Sequence, residues 1–176
     1  MPSAWRAEFS AASWFFVVAM ITINGDSLRE QLMAPNNSPQ ATPEQEQMRQ
    51  PLIELHGALV KLHKALLDSE RQVYEKDIGR IQSPNHFFQL LTGDPFFAWL
   101  RPISQLIVAI DETLDAKELT HADVDAVMAQ SVFLLVPATT GGEFGDRYVA
   151  ALQRDPRVVL THAQVAKRIG SRRPED

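Results

Sequence analysis

PLIELHGALVKLHKALLDSERQVYEKDIGRI, residues 51 to 81, decides the architecture. Leu52, Leu55, Leu59, Leu62, Leu66 and Val73 recur at intervals dominated by three and four, the spacing that puts apolar side chains on one face of a helix. A second stripe, Ile53, Val60, Leu67, Tyr74 and Ile81, repeats every seven residues beside it. The two together predict a helix of about 30 residues with an apolar face broad enough to touch two neighbours. Pro51 suits a first-turn position, where its missing N–H costs nothing. Gly79 weakens the far end, and Ser83-Pro84 reads as the cap and first residue of the next helix.

Downstream, PNHFFQLLTG ends at Gly93 and Asp94-Pro95 repeats the cap-plus-proline signal. Phe96, Trp99, Leu100, Ile103, Ile107, Ile110 and Leu114 then keep helical spacing through Pro102. An interior proline costs about 3 kcal/mol, so a kink near residues 98 to 102, or two abutting helices, is expected. Thr120 with Asp123 forms an approximate capping box, and Pro137 stops that helix. ATTGGEFG reads as a loop, followed by two helices divided at Asp155-Pro156. No alternating strand pattern occurs. The expectation is an all-α fold, an irregular bundle of four to six helices with one long N-terminal helix.

Upstream, Ala11 to Ile23 (AASWFFVVAMITI) is a charge-free apolar run of thirteen, too short for a bilayer span of about 20 residues. It also lacks a basic leader and cleavage motif. Residues 1–32 read as an apolar stub whose natural start is expected at Met33, residues 33–50 as a disordered linker, 51–170 as one helical domain and 171–176 as a frayed tail.

The 176 residues contain no cysteine, which excludes a disulfide framework, a thiolate nucleophile and a cysteine-held metal or cluster. A cytoplasmic location fits. Formal charge is −5, yet residues 146–176 carry seven basic and four acidic side chains. Asp111, Glu112, Asp115, Glu118, Asp123 and Asp125 concentrate acid elsewhere. The net acidity and the lack of a recognition motif argue against nucleic-acid binding.

The candidate chemistry is sparse. His56, His63 and Glu70 share one helix face, but seven residues rise about 10.5 Å, so one ion cannot take two of them. Glu118, His121 and Asp125 have spacing compatible with convergence, and Glu-x-x-His is a unit of di-iron bundles; those bundles use it twice, however, and here it occurs once. No metal and no cofactor are expected. His162 lies in the stripe of Val158, Val165 and Ile169 and reads as a packed histidine with one hydrogen-bond partner, or as a general base. No nucleophile-elbow motif occurs, and Gly141-Gly142-Glu143-Phe144-Gly145 lacks the lysine and hydroxyl of a phosphate loop. Phe87, Phe88, Phe96, Phe97 and Trp99 crowd one helix–helix corner and are expected mainly in the core. Adjacent pairs cannot both face inward, which makes this corner the candidate partner-binding surface.

GDPFFAWLRPISQLIVAIDE and FGDRYVAALQRDPRVVLTHA resemble uncharacterised bacterial all-helical proteins, a likeness running over about residues 50–170. The resemblance implies a helical fold and carries no activity, cofactor or catalytic residue. A helical interaction or regulatory module without catalysis, with a protein partner or self-association, is the leading expectation. An enzyme or ligand-binding protein using Glu118, His121 or His162 in an interhelical pocket is the alternative.

Overall fold

The computed structural model describes residues 42–136 and 142–170. Among them are six α-helices, α1 (Pro43–Asp77), α2 (Pro84–Gly93), α3 (Arg101–Asp115), α4 (His121–Leu135), α5 (Gly142–Arg154) and α6 (Pro156–Gly170), with a 3-10 segment, Pro95–Leu100, between α2 and α3. No strand occurs among the described residues.

α1 begins eight residues before Pro51, so Pro51 lies inside the helix and residues 43–50 are not a linker. The cause is partly local: Thr42 Oγ1 accepts from Gln45 N–H, Pro43 opens the first turn, and Glu44 and Glu46 oppose the helix dipole there. Tertiary contacts complete it. The Gln45 side chain donates to Leu119 O (3.0 Å) and accepts from Leu119 N (3.2 Å), Met48 is buried, and Arg49 donates to Leu114 O and to Ala116 O, satisfying carbonyls at the end of α3. These anchors hold helical a tract whose composition alone favours disorder. Residues 1–41 and 171–176, and with them the stub, the Met33 start, the rest of the linker and the tail, lie outside the described residues.

Ser83 and Asp94 cap as their sequence implies, accepting from His86 N (3.1 Å) and Phe96 N (2.9 Å). The problem set by Pro102 is solved by interruption. The chain runs as a 3-10 turn to Leu100 and restarts as α3 at Arg101, which places Pro102 in the first turn, where no helical N–H is required. Thr120 and Asp123 form a complete capping box on α4. α5 differs from the expected loop: Gly142 enters it at φ +77°, a left-handed angle suited to glycine, and residues 142–145 are already helical. Asp155 Oδ1 accepts from Arg157 N (2.9 Å) at the entry to α6.

α1 is the central element. It packs against α3 on one side and α6 on another, α4 lies against α3 and α6, and the 3-10 segment with α5 closes the far end. Leu52, Leu55, Leu59, Leu62 and Leu66 of α1 are buried with Ile103, Leu106, Ile107 and Ile110 of α3. The contacts Arg49 to Leu114, His56 to Asp111, His63 to Ser104 and Glu70 to Trp99 rise along α1 as they descend along the facing segment, so the two run antiparallel.

Candidate functional site

Three polar side chains of α1, at seven-residue intervals, point into that seam. His56 Nε2 lies 3.0 Å from Asp111 Oδ1, an ion-pair distance without hydrogen-bond alignment. His63 Nε2 is 3.0 Å from Ser104 Oγ, which also reaches Leu100 O at 3.5 Å. Glu70 Oε2 accepts from Trp99 Nε1 (3.3 Å). His56, His63 and Glu70, placed on one face by the sequence, are thus brought against three separate partners.

A serine hydroxyl beside an imidazole is half of a nucleophilic pair. Access and orientation are missing. Both His63 and Ser104 are sealed from solvent, and His63 Nδ1 has no hydrogen-bond partner to fix its tautomer. Burial lowers the His63 pKa to about 4, so the ring is neutral at physiological pH. The pair is a packed polar contact.

Glu70 is the hub of the far end. Its carboxylate also receives Arg154, which donates to Ser69 Oγ (3.1 Å) as well, and Arg147 approaches to 3.9 Å while donating to Phe96 O (2.8 Å). A buried carboxylate is tolerated because its oxygens are met by charged and neutral donors. Arg147 sits over the Phe96 ring, its guanidinium carbon 5.2 Å from the centroid, a cation–π geometry.

The aromatic corner divides. Phe87, Phe97 and Trp99 are buried, while Phe88 and Phe96 are half-buried. Tyr74 stacks on Phe97 (5.4 Å) and meets Phe96 edge-on (5.3 Å), so the rings bind α1, α2 and the 3-10 segment into one cluster. Phe97, at 1% exposure, offers nothing to a partner in this packing.

Glu118, His121 and Asp125 are all solvent-exposed, and the helix starts at His121, leaving Glu118 outside the helical frame its spacing assumed. No group of three metal-ligating side chains is assembled among the described residues. His162 Nδ1 lies 2.7 Å from the hydroxyl of buried Tyr148, and burial lowers the histidine's pKa and raises the tyrosine's. This pair ties α6 to α5.

Several large apolar side chains also reach solvent. Leu160 is 66% and Val159 45% exposed on α6, Phe133 is 68% exposed on α4, and Ile78 is exposed at the end of α1. Sequence reasoning missed the α6 pair, although the run Val158-Val159-Leu160 carried the signal: three consecutive residues of a helix cannot share one face. Val158 and Val165 take the inward positions. No helix among the described residues is long and apolar enough to cross a membrane.

The chain matches no family model, no curated protein and no solved structure with which it was compared.

Proposed function

We propose that this chain is a helical interaction module whose protein partner packs on the outward face of α6. The observation that carries the reading is the adjacent exposure of Val159 and Leu160, followed along the same helix by exposed Ala163, Ala166 and Lys167. An apolar strip with small residues beside it lets another backbone approach closely, and a cation at its edge orients the contact. The titratable groups support the same reading. His63 and Glu70 are consumed by internal partners, His162 is held by Tyr148, and Glu118 and His121 stand in open solvent.

The test is a photo-crosslinking residue at Gln164, between the exposed positions, in cells of the source organism. One defined protein adduct is expected, which disappears when Leu160→Glu is added while the helical circular dichroism and Tm remain unchanged. The same adducts from a crosslinker at exposed Lys61 on α1, or an adduct indifferent to Leu160→Glu, would overturn the reading.

A further inference from the structure

The first two turns of α1 are held differently from the rest of that helix. Pro51 stands inside α1 without an N–H, so Gln47 O lacks the donor, four residues on, that would tie this end to the next turn. Before the proline Met48 is the one buried residue, while Pro43, Glu44, Glu46, Gln47 and Gln50 are exposed. Beyond it Leu52, Leu55, His56, Ala58 and Leu59 are all buried. The apolar anchorage of α1 therefore lies almost wholly past Pro51.

What secures residues 43–50 is mainly polar and comes from two side chains. Gln45 accepts from Leu119 N–H (3.2 Å) and donates to Leu119 O (3.0 Å), while Arg49 donates to Ala116 O (3.0 Å) and to Leu114 O. All of these bonds end on backbone groups at the close of α3 and in the connection to α4. Gln45, Met48 and Arg49 share one helix face, so a single movement of this end breaks every contact it makes there.

We infer that residues 43–50 are a hinged strap, latched onto the α3–α4 connection by Gln45 and Arg49 and opening as one unit about Pro51 while α1 beyond Leu55 stays folded. A proline inside a helix is a common place for such a bend, and a segment with few buried apolar contacts is where local opening occurs. Opening uncovers Met48 and Leu119, which are 5% and 2% exposed when the strap is closed. It also frees the carbonyls of Leu114 and Ala116 and the Leu119 amide. The strap couples two parts of the chain that are distant in sequence: any contact that favours the open form at the α3–α4 connection also releases the start of α1, and the reverse holds equally. This inference does not rest on the partner surface of α6.

Native-state amide exchange of the full chain, followed residue by residue by NMR, tests this. The amides of Gln47 to Gln50 and of Leu119, whose N–H is bonded to Gln45, are expected to exchange through one shared opening, roughly a hundredfold more often than those of Leu59 to Leu66. Pro51→Ala restores the missing donor and is expected to slow exchange at both places roughly tenfold, although Leu119 is remote from the substitution in sequence. Gln45→Ala is expected to speed exchange of Met48 to Gln50 by roughly the same factor. Exchange of Gln47 to Gln50 as slow as that of Leu59 to Leu66 overturns the inference. So does a Leu119 amide that opens independently of the strap or is indifferent to Pro51→Ala, or a strap indifferent to Gln45→Ala.

Discussion

His63 and Ser104 meet at 3.0 Å in the middle of the α1–α3 seam, and neither is open to solvent. The imidazole's second nitrogen has no partner, so a proton added there would bring an uncompensated charge into the leucine core.

The first prediction follows from the sign of that effect. Burial holds the folded-state pKa of His63 at about 4 against 6.5 in an open chain, so between these values the unfolded chain binds the proton and the native state refuses it. The contribution is complete above pH 6.5 and is lost as pH falls toward 4, amounting to about 3 kcal/mol. His162, lowered by burial, acts in the same direction. Asp123 and Asp155, held low by Thr120 and Arg157, lose their contributions only as pH falls below the normal carboxyl value of 3.8. Urea unfolding from pH 7.5 to 4.5 is expected to show the decline, and His63→Leu to flatten it.

Glu70 gives a second prediction. Glu70→Ala leaves Arg154 and the Trp99 N–H without their acceptor, at an expected cost of about 3 kcal/mol. Arg154→Ala is expected to cost at least as much, since it leaves the buried Glu70 carboxylate with only the Trp99 N–H and the more distant Arg147. Denaturation midpoints of the two single variants and the double variant are expected to be non-additive, the double variant being more stable than the sum of the separate losses implies.

Arg49→Ala is expected to loosen residues 43–50 and the end of α3 together, because one guanidinium serves both. Faster amide exchange in both segments, with residues 60–70 unchanged, is the result to look for. A second helix α1 substitution acts in the opposite sense. A methyl group added at Gly57 meets no atom within 4 Å, so Gly57→Ala is expected to stabilise by about 0.5–1 kcal/mol, read as a higher Tm.

The long helix, the caps at Ser83, Asp94 and Thr120 and the break at Asp155-Pro156 were legible because each is a local signal, written within three or four residues. The start of α1 was half legible. Thr42-Pro43-Glu44-Gln45 has the form of a helix beginning, but what secures it is Leu114, Ala116 and Leu119, about 65 to 75 positions away. Helical periodicity placed His56, His63 and Glu70 on one face; it carried no information on Asp111, Ser104 or Trp99, whose pairing depends on how two helices meet. The exposed Val159 and Leu160 fall outside the stripe of Val158, Val165 and Ile169 that the periodicity singles out, and α6 has only that narrow inward stripe.

The three contacts spaced along α1 work like teeth on a key. Sliding α1 past its neighbour by one turn, about 5.4 Å, would carry His56, His63 and Glu70 away from their mates in a single movement and leave each facing hydrocarbon. Leucines alone tolerate such slippage, since one greasy side chain replaces another at little cost. A core that by its oily content would accept several alignments is thereby confined to one.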